Sequence, residues 1–173
     1  MIIRELEISD ERAFLKARQE WDNSSGFLFF PSYDEKIKFP DYVQLLKDNK
    51  QGKELKEGYV PGTSMFSFIN GDMAGRVSLR HRLNDFLLNV GGHIGYGVIP
   101  RFRGQGVATQ LLRAALQEAL ALKIDRALVT CDENNFASAK VIEKCGGILE
   151  NIVDTASIGP RKKRYWVQTG VNQ

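Results

Sequence analysis

Arg101, Arg103, Gly104 and Gly106 lie within six residues, between the strand-like run Tyr96–Ile99 and a helical repeat that begins at Val107. The first N–H groups of a helix have no acceptor within it, and the helix dipole adds partial positive charge there. Two cationic side chains stand beside those groups. Glycine has no Cβ, so Gly104 and Gly106 let the chain turn sharply and let an anion come close to the backbone. The chemistry this spacing supports is binding of a phosphate or diphosphate on main-chain amides.

Other phosphate-binding patterns fit less well. The dinucleotide fingerprint needs a third glycine, and Gly104-Gln105-Gly106-Val107-Ala108-Thr109 has Thr109 in its place. No acidic residue follows at the distance expected for a ribose contact, and the P-loop pattern is absent. These features disfavour a Rossmann-type nucleotide enzyme.

The turn must be positioned by the elements around it. Val107, Ala108, Leu111, Leu112, Ala115, Leu116, Ala119 and Leu120 recur at helical spacing over residues 107–123. The run Arg126–Cys131 reads as a buried strand, Asn134-Asn135 can cap a helix over 136–145, and Gly146-Gly147 can end it. Upstream, residues 2–8 alternate as a first strand, and Ser9 with Asp10 and Glu11 predicts a helix start that runs to about Trp21. Pro40 suits the first turn of a helix over 41–48, with Tyr42, Val43, Leu45 and Leu46 inward. The charged stretch 47–56 reads as a solvated loop. Asn70-Gly71 predicts a tight hairpin between strands 64–69 and 73–80. Residues 148–153 and 164–168 are candidate closing strands. The fold class expected is mixed α/β (α+β), a single domain spanning 1–173 with a mostly antiparallel central sheet. Strands 94–99 and 126–131 form its parallel pair, joined by a right-handed helical crossover.

This order resembles the GNAT superfamily of acyl-CoA-dependent N-acetyltransferases. Arg101–Gly106 matches the family's first motif, Gln/Arg-x-x-Gly-x-Gly/Ala, and Asn135–Gly147 resembles its second, an asparagine-headed helix that ends near Glu-Lys-x-Gly. The run Gly92–Val98 looks most like a bacterial subgroup of unassigned substrate. The resemblance implies that the parallel strands splay apart and receive the pantetheine arm of acetyl-CoA, with the main chain of Tyr96 and Val98 bonding its amides. It implies a diphosphate held by the amides of Arg103, Gly104, Gln105, Gly106, Val107 and Ala108. Arg101 and Arg103 are then phosphate contacts rather than solvated loop cations. Asn135 is a helix cap, a cofactor contact or both, and Ser138 on the same turn could bond the cofactor.

The reaction implied is attack of a primary amine on the thioester, which requires the amine to lose a proton. His93 enters the strand before the phosphate turn and titrates in the useful range, so it is a candidate base. His81 is a weaker candidate, and Tyr96 points into the same region. Many members carry a tyrosine seven residues after the asparagine to protonate the leaving thiolate. Ile142 stands there and cannot. That departure keeps a second reading open, a non-catalytic acyl-CoA sensor.

Composition bounds the rest. A chain of 173 residues, 43% hydrophobic, can bury one substantial core. A net charge of +3 gives no basic footprint for nucleic acid. Cys131 and Cys145 form neither a disulfide framework nor a metal pattern. Without a signal-like start or a long apolar run, a cytoplasmic setting with no membrane association is expected. Exposed edge strands are compatible with a homodimer. The aromatics Trp21, Phe27, Phe29, Phe30 and Tyr33 could wall a pocket or fill the core, and Asp22, Asp34 and Glu35 could hold a cationic amine.

Overall fold

A computed structural model describes residues 1–21, 27–34, 36–53, 55–155 and 159–170. In chain order the elements are β1 (Ile2–Arg4), α1 (Glu11–Glu20), α2 (Phe39–Gln51), β2 (Gly62–Ile69), β3 (Asp72–Arg80), β4 (Ile94–Val98), α3 (Val107–Ala121), β5 (Arg126–Asp132), α4 (Phe136–Lys144), β6 (Ile148–Val153) and β7 (Lys162–Gln168). The strands form one seven-stranded sheet in the order β1-β2-β3-β4-β5-β7-β6. Every described pairing is antiparallel except β4 with β5. α3 packs across β2, β3 and β4, and α4 against β5 and β7.

The first strand ends at Arg4, short of Ile8. The Arg4 guanidinium forks onto Asp10 at 2.6 and 2.8 Å, and the Glu7 amide donates to Asp10 Oδ2 at 2.8 Å. This charge-assisted clasp turns the chain into a 3-10 segment, Ile8–Asp10, ahead of α1. Asp10 and Glu7, rather than Ser9, organise the start. α2 also runs further than expected, because Lys and Gln are good helix formers and only Tyr42, Val43 and Leu46 of its later turns need burial. It stops at Gly52, which adopts the left-handed conformation at φ 75°. The hairpin turn at Asn70 and Gly71 has φ 51° and 83°, as a two-residue connection between twisted strands requires.

α3 buries Val107, Leu111, Leu112, Ala115, Leu116 and Ala119, whereas Leu120, expected inward, is 49% exposed. On the other side of the sheet Phe14, Phe30, Tyr33, Phe39 and Tyr42 form an aromatic cluster joining α1, the following loop and α2. At Gly75 α3 packs tightly on the sheet. A Cβ there would lie 2.8 Å from both the Gly97 carbonyl oxygen and Leu111 Cδ1. Gly75→Ala is expected to cost about 2 kcal/mol by overpacking, read as a lower urea midpoint at unchanged slope.

Candidate functional site

β4 and β5 are zipped at one end only. Their register has a single pair, Ile94 with Val129. Just before it, the His93 amide donates to the Leu128 carbonyl at 2.7 Å and the Leu128 amide donates to His93 Nδ1 at 2.9 Å. The His93 carbonyl also accepts from the Arg80 amide at 2.8 Å, so this residue staples β3, β4 and β5 at the closed end. Towards Val98 the two strands part, and a groove of about 1090 Å³ opens between them.

The glycine turn of residues 103–108 lies at the open end. Gly104 and Gly106 have φ 75° and 78°, and a Cβ at either would meet nothing within 4 Å. Gly106 is the N-cap of α3 and has no capping side chain, so the first-turn amides are left without intramolecular acceptors. Gly104, Gly106, Val107, Ala108 and Arg103 all line the groove. Arg103 Nε donates to the Val98 carbonyl at 3.2 Å, which holds the stem of this exposed side chain against the end of β4.

Arg101 is turned away. Its guanidinium bonds Glu20 Oε2 at 2.7 Å and Asp72 Oδ2 at 2.9 Å, and lies over the Phe102 ring. It ties the turn to α1 and to the β2–β3 hairpin and is not among the groove-lining residues, so the expected phosphate contact falls to Arg103. The Gln105 side chain donates to the Arg101 carbonyl at 2.9 Å and braces the same turn. Only the Gln105 main chain is left to face an anion.

α4 forms the facing wall. Asn135 is its N-cap, accepting from the Ser138 amide at 3.0 Å, and both residues line the groove. Tyr96 reaches across from β4, with its hydroxyl 2.8 Å from Ser138 Oγ and 3.2 Å from the Ser138 carbonyl, to which it donates. Burial holds the Tyr96 phenol protonated well beyond its usual range, and the Ser138 hydrogen bond opposes this only in part. Ile142 is fully buried in the core. Lys144 and Lys162 also line the groove and were not singled out from sequence. Lys162 is paired with Asp132. Neither cysteine is in a disulfide, and burial pushes both thiols up, which argues against a Cys145 nucleophile.

Both histidines lie off the groove lining. His93 is 7% exposed, and burial, reinforced by the charge of Arg80, pushes it down to about 4. Its Nδ1 already serves as an acceptor, so protonation would break the Leu128 bond. His81 Nε2 sits 2.9 Å from Thr63 Oγ1, and burial lowers its pKa as well. These are structural positions, not those of a base near pH 7. The unfolded chain takes up protons near pH 6.5 that the folded chain resists, so stability is complete above 6.5 and falls as pH drops towards 4. We expect a loss of about 2 kcal/mol between pH 7 and 4.5 in urea titrations. His93→Gln, which keeps an acceptor without the titration, should remove most of it. The smaller remainder belongs to His81, and equal losses in the two proteins would refute the assignment.

Of the aromatics, Trp21 and Phe27 line the groove while Phe29 is core. Asp34 is exposed and caps its own loop by accepting from the Lys36 amide at 2.7 Å. Asp22 and Glu35 lie outside the described residues. Among those described, no cluster of His, Cys, Asp and Glu could hold a metal, and no helix is long and apolar enough to cross a membrane.

A one-sided parallel pair opening beside an uncapped glycine turn is the arrangement the two motifs implied. The model of the acetyltransferase (GNAT) domain family matches residues 1–148. The chain belongs to the GNAT acetyltransferase family. GNAT acetyltransferases use acetyl-CoA as the acyl donor. Among similar solved structures, a GNAT-family acetyltransferase from Streptococcus pneumoniae is 19% identical over 98% of this chain and 99% of its own, with a TM-score of 0.65. YncA from Salmonella typhimurium, solved with its cofactor acetyl-CoA, is 15% identical over 99% and 95%, with a TM-score of 0.64. A mutant of the spermidine N-acetyltransferase SpeG from Vibrio cholerae is 19% identical over 98% and 95%, with a TM-score of 0.62. No curated protein matches the chain. At these identities the solved structures speak to the fold, and the family match carries the membership.

Proposed function

We propose that this protein transfers the acetyl group of acetyl-CoA to a primary amine by direct attack within the β4–β5 groove. The observation that carries this reading is the coincidence of two features at one place. Strand edges left unpaired beyond Ile94 offer main-chain groups at Tyr96 and Val98 to an amide-bearing arm. The adjoining Gly104–Ala108 turn offers amides, with Arg103 beside them, to a diphosphate. Bound there, acetyl-CoA supplies the activated thioester carbonyl.

The chain then has three tasks. Its main chain aligns the thioester along β4. Tyr96 Oη, held protonated, turns its one proton from the Ser138 carbonyl to the sulfur while accepting from the Ser138 hydroxyl, as the C–S bond breaks and the electron pair leaves on the thiolate. The ammonium gives one proton to water, its lone pair forms the new C–N bond, and the second N–H proton leaves to water as the thiolate departs, because the one carboxylate among the described groove-lining residues, Asp132, is engaged by Lys162. The positive charge of Arg80 on the groove wall favours the neutral amine.

Calorimetric titration with acetyl-CoA, followed by thiol release against an amine panel, tests the proposal. Micromolar binding with amine-dependent thiol release is expected. Absence of binding at high micromolar acetyl-CoA would sink it. Binding with no release on any amine would favour the sensor reading, which the buried Ile142 keeps open. A cytoplasmic location and a homodimer belong to the same proposal; gel filtration at micromolar concentration checks the second.

A further inference from the structure

Successive side chains of a strand point to opposite faces. Tyr96 points towards α4, so Gly95 and Gly97 present bare backbone on the other face, where β3 sets Arg76, Ser78 and Arg80 beside them. The register pairs Arg76 with Gly97 and Ser78 with Gly95. With no side chains on β4, neighbours descend onto it. A Cβ on Gly97 would lie 2.5 Å from Phe27 Cδ1 and 2.9 Å from Trp21 Cη2, and a Cβ on Gly95 would lie 3.5 Å from Arg80 Nη1. Arg80, Trp21, Phe27, Phe86 and Val90 thus form a mostly apolar end of the groove with one cation in it.

Among the described residues that cation has no counter-charge: its guanidinium makes one long hydrogen bond, 3.3 Å, to the Gly91 carbonyl, and no carboxylate pairs with it. A second arginine lies behind it. Arg76 is 4% exposed, and among the described residues its terminal nitrogens meet only neutral oxygens, the carbonyls of Leu28 and Phe29 and the hydroxyl of Ser64, while its Nε is unpaired. Two desolvated guanidiniums on one strand face repel each other, and the surroundings compensate neither with a full negative charge. Burial and this repulsion both draw the Arg76 pKa down, to about 10. Trp21 lines the same end of the groove, and its Nε1 is buried with no acceptor among the described residues. A guanidinium fork with one long hydrogen bond and no paired carboxylate among the described residues is a donor set awaiting an anionic acceptor.

The diphosphate of acetyl-CoA cannot be that anion. Arg80 sits beside the start of β4 and the glycine turn follows its end, so roughly 10 Å or more of strand separates them. We propose that the acceptor amine itself carries a carboxylate, received by the Arg80 guanidinium. This rests on the groove being the acetyl-transfer site. One planar fork in apolar surroundings matches a single carboxylate with an apolar body. It repels polyamines, which bring only positive charge.

The test measures kcat/KM by thiol release for the protein amino acids, their primary amides and spermidine, with wild type, Arg80→Met and Arg80→Lys. The best amino acid should exceed its own amide by about thirtyfold. Arg80→Met should bring that ratio close to one, mainly by raising KM for the acid. Arg80→Lys should keep part of the ratio, and calorimetric affinity for acetyl-CoA should stay within about twofold in both variants, which also certifies their folding. Equal use of acids and amides, a preference for spermidine, or an unchanged ratio in Arg80→Met would overturn the proposal. So would acetyl-CoA binding with no turnover of any carboxylate-bearing amine. Loss of acetyl-CoA binding by wild type would instead remove the acetyl-transfer reading beneath it.

Discussion

Tyr96→Phe should lower kcat by about 10²-fold while leaving the affinity for acetyl-CoA within about twofold. The substitution deletes one oxygen and keeps the ring that packs between β4 and α4, so the groove retains its shape. The deleted hydroxyl is the groove-lining donor, among the described residues, that spans the wedge to Ser138 at 2.8 Å. Its raised pKa decides how it acts. A thiol of pKa about 8.5 is a stronger acid than this phenol, so full proton transfer from Tyr96 to the departing sulfur runs uphill. Tyr96 therefore acts by a hydrogen bond that strengthens as negative charge grows on sulfur. The loss should fall on the chemical step in single-turnover measurements and should persist from pH 6 to 9, because the phenol does not ionise in that range. A kcat unchanged by Tyr96→Phe would show that the thiolate departs unaided. A drop confined to acetyl-CoA binding would make the hydroxyl a docking group only.

The glycine turn and the hairpin are legible because each depends on local backbone conformations that few residues adopt. Gly104, Gly106, Asn70 and Gly71 all take positive φ, and glycine or asparagine at such points can be read without knowing the neighbours. The helix of residues 107–121 was legible for a similar reason, since one apolar face must repeat at helical spacing. Failures occurred where a side chain's partner is distant in sequence. Arg101 looked like a phosphate ligand until Glu20, 81 positions earlier, was seen to hold it. His93 looked like a base because histidine titrates near neutrality. Its direction depends on Leu128, brought alongside by the crossover through α3. Arg80 drew no attention because an arginine on a strand is ordinary. Its meaning lies in what is missing around it, and that can be seen only after packing. The charged end of α2 reads as a loop from sequence for another reason. Charge shows that a face is wet, and a helix can be wet on one face without ceasing to be a helix.

Gly106→Val should weaken acetyl-CoA binding by about 10³-fold, more than any other single change in the turn. Two costs combine. Gly106 sits at φ 78° as the N-cap of α3, a conformation that costs a β-branched residue of order 1–3 kcal/mol. Part of that strain would be relieved by rotating the peptide, which turns the first-turn amides away from a common focus. In addition, a Cβ at this position meets nothing within 4 Å, so the new side chain projects into open space at the groove mouth, where the diphosphate must dock. Gly104→Val shares the strain, at φ 75°, but lies two residues outside the helix start, so its penalty should be smaller. The two variants thus rank the contributions. Calorimetry with acetyl-CoA and with dephosphorylated pantetheine compounds would separate them, because an arm lacking the diphosphate should bind wild type and Gly106→Val alike. Equal loss for both ligands would mean that the turn supports the wedge as a whole, and the docking role assigned to its amides would fail.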